Sequence, residues 1–174
     1  MLRLRPYKAC DAERITSWIK NEEALRKWSA DRFGSFPLTP EKLNEKYLEN
    51  NGDSEDPDNF FPMVAFDEDG IVGHLILRFA DSEKSVVRFG FVIIDDSIRG
   101  MGYGKEMLRL AINYGFNILK ASKITLGVFE NNTAAYYCYK SSGFTECKNN
   151  SSYTLTIDGK SYDWNCIEME LLKK

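Results

Sequence analysis

The chain has 174 residues, enough for one domain with a sizeable hydrophobic core. Its net charge of −3 argues against a nucleic-acid partner, and no run approaches the roughly 20 apolar residues that span a bilayer. The four cysteines form no C-x-x-C pair, and with a single histidine they indicate reduced thiols and no metal site. The first six residues do not resemble a signal peptide, so we expect a cytoplasmic protein.

The first half of the chain predicts one strand, three short helices and a hairpin. Period-two alternation over 2–5 predicts a strand ended by Pro6, and helical spacing predicts helices over 12–20 and 22–28. A loop over 29–37 precedes a helix that begins at Thr39-Pro40-Glu41 and runs to about residue 49. The acidic stretch 51–59 is expected to be a surface loop, whose carboxylates are also available to attract a cationic amine. Strands over 60–66 and 71–79 then form a hairpin.

The second half alternates strands and helices. The apolar, β-branched run 86–94 is typical of a strand buried on both faces. It is followed by a helix over 102–119, a strand over 123–129, a helix over 132–141 and a hairpin of strands 144–157 and 162–172. This alternation predicts a single α/β (α+β) domain in which helices pack on a mixed sheet.

The chemistry is concentrated in the glycine-rich turn between strand 86–94 and the following helix. Glycine lets a ligand approach the backbone closely, and the first N–H groups of a helix favour an anion. The turn therefore predicts a cradle for a phosphate or pyrophosphate, although a tight turn with packing glycines is the plain alternative. The spacing of Gly100, Gly102 and Gly104 excludes the Rossmann pattern, and Glu106 after Lys105 excludes the Walker pattern.

Two motifs together resemble the GNAT superfamily of N-acetyltransferases. The turn matches the acetyl-coenzyme A loop, Gln/Arg-x-x-Gly-x-Gly/Ala, at Arg99, Gly102 and Gly104. A second motif, Asn-x-x-Ala-x-x-x-Tyr-x-x-x-Gly-Phe, begins at Asn132 and includes Tyr139. The order of elements and the closing Asp-Gly hairpin look most like the branch of ribosomal-protein N-terminal acetyltransferases and spermidine acetyltransferase. The resemblance implies a mostly antiparallel, twisted sheet of about seven strands with a splayed central strand.

The resemblance also implies which residues hold the cofactor, acetyl-coenzyme A. The central strand pairs with the pantetheine arm in the family, and counting back from the turn places that role on Val92, Ile93 and Ile94, with the Val92 amide as an oxyanion donor. The pyrophosphate falls to the turn, which consists of Arg99, Gly100, Met101, Gly102, Tyr103, Gly104 and Lys105. Asn132 is expected to cap its helix and to hydrogen-bond the pantetheine arm.

Tyr139 is the candidate general acid, since the matching tyrosine in the family lies near the coenzyme sulfur. The match fails for the general base, because the position at which some members carry a glutamate is Arg88 here, and a guanidinium is not a base. His74, Glu130 or water alone remain as candidates for the base. Arg88 is available instead to bind an acidic group on the acceptor.

The resemblance implies an N-acetyltransferase that moves an acetyl group from acetyl-coenzyme A to a primary amine, without a metal. No cysteine has a base beside it, which favours direct attack in a ternary complex. The acceptor is open between a protein N-terminus and a small amine, and aromatic residues are expected to line its pocket, namely Trp28, Phe33, Phe36 and Trp164. The alternative is a non-catalytic acyl-coenzyme A sensor or regulatory module, and a homodimer is expected from the family.

Overall fold

Eight strands form one sheet in the computed structural model, which describes residues 1–174. They are β1 (Arg3–Pro6), β2 (Phe61–Asp67), β3 (Gly70–Phe79), β4 (Val86–Ile94), β5 (Lys123–Phe129), β6 (Thr145–Glu146), β7 (Ser151–Ile157) and β8 (Lys160–Leu172). Their order is β1-β2-β3-β4-β5-β8-β6, and β7 also pairs with β8. Only β4 and β5 pair in parallel. The mixed, mostly antiparallel sheet is confirmed, with one strand more than expected.

Five α-helices flank the sheet: α1 (Ala12–Ser17), α2 (Glu22–Ser29), α3 (Pro40–Asn44), α4 (Tyr103–Asn113) and α5 (Thr133–Ser141). The side chain of Thr39 accepts a hydrogen bond from the Lys42 amide, so α3 begins where the sequence predicts. Single π-helical turns extend α3 over Glu45–Glu49 and α4 over Tyr114–Ile118. Helix α1 ends before the predicted residue 20, because the hydroxyls of Thr16 and Ser17 bond back to carbonyls of their own helix.

The sheet buries both faces, because alternate residues of its central strands point to opposite sides. One face packs Leu75 and Phe89 against Met107 and Leu108 of α4, all almost fully buried. The other face packs Ile76 and Ile93 against the layer of α1, α2 and α3, whose buried side chains include Ile15, Leu25 and Leu43. Strand β4 therefore contributes to both cores, as its continuous apolar sequence predicts.

The last hairpin departs from the prediction, because residues 144–157 form two strands and not one. Glu146 pairs with Met169 and Ser151 pairs with Cys166, so residue numbers advance by five along this segment but by only three along β8. The two additional residues lie in a polar stretch that includes Lys148, Asn149 and Asn150, and they interrupt the ladder.

No helix is long and apolar enough to cross a membrane.

Candidate active site

The site begins where β4 and β5 separate. The two strands pair only over Val86–Arg88 and Lys123–Thr125, and then they diverge. The gap opens into a cavity of about 610 Å³, here called the main cleft. Its walls come from the α1–α2 region, β4, the glycine-rich turn, α4, β5 and α5. The splayed central strand that the resemblance implies is therefore present, and it leaves one edge of β4 without a partner strand.

The backbone of β4 turns toward the main cleft at Val92 and Ile94. The register with β3 shifts at Phe91, whose φ of 48° marks a bulge in a region that aromatic residues rarely occupy. After the bulge the Asp95 amide donates to the Val72 carbonyl, at 2.9 Å. Since backbone groups alternate along an antiparallel strand, the amides of Val92 and Ile94 point away from β3, while that of Ile93 points toward β3. Ile93 is also among the residues that line the cleft.

The glycine-rich turn presents free hydrogen-bond donors to the main cleft. Helix α4 begins after Gly102, whose φ is 91°, and the amides of residues 102 to 105 donate to no acceptor in the protein. A Cβ added at Gly100 or Gly102 would meet no atom within 4 Å, so the space beside this backbone is open. Arg99 and Lys105 line the same space, and neither forms an ion pair with a carboxylate. The turn therefore fits an anion such as a pyrophosphate.

Two residues of the turn, Met101 and Tyr103, are not among those that line the cleft, although the Tyr103 amide is one of the free donors. Met101 is 69% exposed and points away from the cleft. The Tyr103 hydroxyl donates a hydrogen bond to Asp67 Oδ2, at 3.2 Å, and so ties the start of α4 to the end of β2. For Tyr103 this follows from its position at the start of α4, because a helix spreads successive residues around its axis and only some of them can face one ligand.

Tyr139 is brought into the main cleft as the motif predicts. Its side chain is buried, it lines the cleft, and its hydroxyl has no hydrogen-bond partner in the protein. Burial raises the pKa of this phenol well above its ordinary value, so the hydroxyl stays protonated. Cys138 also lines the cleft, and burial raises the pKa of its thiol despite the nearby charge of Lys105. A protonated thiol is a poor nucleophile, which argues against an acyl-enzyme on Cys138.

Asn132 lies at the start of α5 and lines the main cleft, but its side chain does not cap the helix. The expected capping hydrogen bond is therefore absent. The reason is its backbone conformation, with φ of −100° and ψ of 63°, which differs from the extended geometry of an ordinary N-cap. The amide side chain remains available to a ligand.

His74 does not reach the main cleft, which corrects its candidacy as the base. The side chain is fully buried, and Nδ1 lies 2.9 Å from the Met63 carbonyl oxygen while Nε2 lies 2.9 Å from the Tyr47 hydroxyl. A carbonyl can only accept, so Nδ1 carries the proton and Nε2 accepts from Tyr47. Burial lowers the pKa of His74 to about 4. The histidine is thus a satisfied, neutral core residue.

Neither Glu130 nor Arg88 supplies a base to the main cleft. Glu130 is exposed, accepts a hydrogen bond from Asn165 at 3.1 Å, and does not line the cleft. Arg88 forms a two-pronged ion pair with Glu168, with N–O distances of 2.7 and 3.0 Å. No Asp or Glu is among the residues that line the cleft. No group of three or more potential metal ligands is present.

The α1–α2 region contributes a wall that sequence reasoning only partly identified. Trp28 lines the cleft as expected, but the other three predicted aromatics, Phe33, Phe36 and Trp164, do not. Phe33 stacks on Trp28, and Trp164 packs against Phe129, so both serve the packing of other residues. Trp18 also lines the cleft, and it was missed because its helical spacing indicated only a core position. The indole N–H groups of Trp18 and Trp28 are buried and have no acceptor in the protein.

Comparisons with known proteins agree with this geometry. Residues 1–145 match the family described as the acetyltransferase (GNAT) domain. An N-acetyltransferase 9-like protein of Nematostella vectensis is 23% identical over 91% of this chain and 83% of its own length. Spermidine N(1)-acetyltransferase of Vibrio cholerae is 24% identical over 83% of this chain and 79% of its own. A Vibrio cholerae spermidine N-acetyltransferase structure, in complex with CoA and spermine, shares the fold with a TM-score of 0.78 and 23% identity, over 98% and 95% of the two chains.

Proposed function

The chain belongs to the GNAT acetyltransferase family, whose members are acetyl-coenzyme A-dependent acyltransferases, and we propose that it acetylates a primary amine. The observation that carries this proposal is a convergence in one cleft. The unpaired edge of β4, the free amides of the glycine-rich turn and the Tyr139 hydroxyl all face the same space. The spermidine N-acetyltransferases among the relatives support an amine as the acceptor.

We assign donor binding to three parts of the cleft. The amides of residues 102 to 105, with Arg99 and Lys105, would hold the pyrophosphate through hydrogen bonds and opposite charge. The edge of β4 at Val92 and Ile94 would pair with the amide groups of the pantetheine arm, as an added strand would. Asn132 offers a further hydrogen bond from the facing helix. Together these contacts would fix the thioester beside the acceptor, which lowers the entropic part of the barrier.

The transfer itself is assigned to Val92, Tyr139 and water. The neutral amine attacks the acetyl carbonyl, and the Val92 amide stabilises the negative charge that develops on the carbonyl oxygen. A carbon–nitrogen bond forms, the carbon–sulfur bond breaks, and the departing sulfur takes the proton of the Tyr139 hydroxyl. Water carries the proton lost by the amine to solvent, and the phenolate regains a proton. No covalent intermediate with Cys138 is needed.

The setting of the reaction is proposed from the cysteines. All four are free thiols in the structure, which supports a reducing compartment, the cytoplasm. The expected homodimer stays a prediction, and light scattering of the purified chain measures it directly.

The role of Tyr139 is tested by replacing it with phenylalanine, which removes the hydroxyl and keeps the ring in the core. We expect kcat to fall roughly tenfold or more, while calorimetric titration shows unchanged affinity for coenzyme A. Tyr136→Phe is the matched control, because Tyr136 lies on the same helix, outside the cleft lining, and hydrogen-bonds Glu146. Activity is measured as thiol release from acetyl-coenzyme A with a panel of amines and N-terminal peptides.

The outcomes of this panel separate the two functions that the sequence left open. Thiol release with one class of amine, lost in Tyr139→Phe and kept in Tyr136→Phe, supports catalysis by direct transfer. An unchanged rate in Tyr139→Phe removes the proposed acid. Binding of acetyl-coenzyme A without thiol release to any amine would favour the sensor, and it would contradict the proposed function.

A further inference from the structure

A second cavity, of about 130 Å³, adjoins the main cleft on the sheet face that carries α2. The two cavities share a wall formed by Trp28, the central part of β4 and Gly127. The second cavity is bounded by the end of α2, by β3 and β4, and by the last hairpin. This second cavity is here called the arginine cavity, and the shared lining places it next to a molecule that occupies the main cleft.

Four cationic side chains line the arginine cavity, and none of its lining residues is a carboxylate: Lys27, Arg32, Arg78 and Arg88. Lys27 pairs with Glu23 at 2.7 Å on the exposed surface of α2, and Arg32 lies 3.8 Å from Asp31. The main cleft likewise has no Asp or Glu in its lining. The acceptor side of the molecule is thus positive where it faces a ligand.

Arg78 is the cation of the arginine cavity that has no counter-ion. It lies directly opposite Arg88 across the β3–β4 ladder, and like charges in that position repel each other. Glu168 compensates Arg88 with its two-pronged ion pair, whereas Arg78 forms neither an ion pair nor a hydrogen bond. Arg78 is an exposed residue at the rim of the cavity, and partial desolvation together with the charges of Arg88 and Arg32 lowers its pKa. An anion in the arginine cavity would relieve this repulsion.

We propose that the acceptor amine carries an anionic group, a carboxylate or a phosphate, that Arg78 binds in the arginine cavity beside Arg32 and Lys27. This inference rests on the proposed function, because it names the class of amine. A guanidinium binds a carboxylate or phosphate through two parallel hydrogen bonds. A polyamine would instead place an additional ammonium group beside Arg78, which has no counter-ion.

The inference is tested with pairs of acceptors that differ only in the anionic group. A series of ω-amino acids from glycine to 6-aminohexanoate is compared with alkylamines of equal length, and phosphoethanolamine is compared with ethanolamine. Spermidine represents the polyamines. We expect kcat/KM to be at least tenfold higher for the best ω-amino acid or for phosphoethanolamine than for the matched amine without the anionic group. The comparison between the two pairs distinguishes a carboxylate from a phosphate.

Three variants assign the effect to Arg78. Arg78→Gln should raise KM for the anionic amine about tenfold, at nearly unchanged kcat, and leave the alkylamine unaffected. Arg78→Lys should recover part of the difference, because it restores the charge without the two-pronged geometry. Arg109→Gln is the control, since Arg109 is an exposed cation of α4 that pairs with Glu106 outside both cavities.

Failure of this inference differs from failure of the proposed function. Thiol release with spermidine or alkylamines, at rates equal to those with anionic amines, would overturn the inference and leave the acetyltransferase in place. An equal loss for all amines in Arg78→Gln would also overturn it. If no amine supports thiol release, the proposed function fails, and the anion site is then tested by calorimetry with the ω-amino acids and inorganic phosphate. Binding that Arg78→Gln abolishes supports the anion site, whereas absence of binding overturns the inference.

Discussion

The protonation of His74 gives a direct test of the core, because it is the only histidine in the chain. The ring is fully buried, Nδ1 donates to the Met63 carbonyl and Nε2 accepts from the Tyr47 hydroxyl. Protonation would place a charge in an apolar layer and would set the new N–H against the hydroxyl proton of Tyr47. Lowering the pH should therefore destabilise the folded state.

The magnitude follows from the difference between the folded and unfolded pKa. Burial lowers the pKa of His74 from 6.5 to about 4 in the folded protein. Below pH 6.5 the unfolded chain binds a proton that the folded chain does not, so the free energy of unfolding falls as the pH falls toward 4. The loss is about 2 kcal/mol between pH 7 and pH 5, and about 3 kcal/mol by pH 4, since one pKa unit corresponds to about 1.4 kcal/mol.

Two measurements check this prediction. Urea denaturation at pH 7 and pH 5 gives the free energy of unfolding, and His74→Gln, which cannot titrate, should lose most of the difference between the two values. The single imidazole is also followed by NMR in the unaltered protein, where its signal should move only near pH 4. A histidine that titrates near pH 6.5, or a pH dependence equal in both proteins, would refute the assignment of a buried neutral ring.

The remaining predictions concern two glycines. In Gly102→Val, strain at a φ of 91° and a side chain in the open space beside the turn amides should lower coenzyme A affinity tenfold or more in calorimetry. Gly70→Val, with a φ of 126° in an exposed hairpin, is the control, and retained affinity in Gly102→Val would show that the cradle is elsewhere. In Gly127→Ala, the added Cβ would lie 2.8 Å from Cys166 Sγ and 2.9 Å from Arg88 Nη2, so we expect urea denaturation to show a loss of about 1–3 kcal/mol. Gly104→Ala, whose nearest contact is 3.4 Å, should show no such loss, and equal effects would contradict this account.

The parts of the site that depend on local sequence were predictable. The turn before α4 needs glycine at Gly102 for its positive φ, and free amides follow from the start of any helix. The family resemblance, counted back from Arg99, implied that Val92 and Ile94 lie on the strand edge that β5 leaves without a partner. Tyr139 reached the cleft because the motif spacing, together with the helical period, fixes its face of α5.

The parts that depend on distant pairing were not predictable. Whether Arg78 faces Arg88 is decided by the β3–β4 register, which the turn between the two strands sets. The ion pair of Arg88 with Glu168 crosses β5, and it is possible because Gly127 has no side chain there. His74 looked like a base on its ordinary pKa, and only the partners that the fold brings to its two nitrogens remove that role.

The lining of the main cleft also accounts for the missing base. An ammonium group that enters the main cleft loses water and meets no carboxylate among the lining residues. Desolvation lowers the pKa of an ammonium, so the bound amine should lose its proton more readily before it attacks. A strong general base is then not required by the proposed mechanism, which agrees with an arginine at the position where some family members carry a glutamate. The unpaired charge of Arg78 would attract an anionic group, and the acceptor would thereby be oriented with its amine toward the thioester.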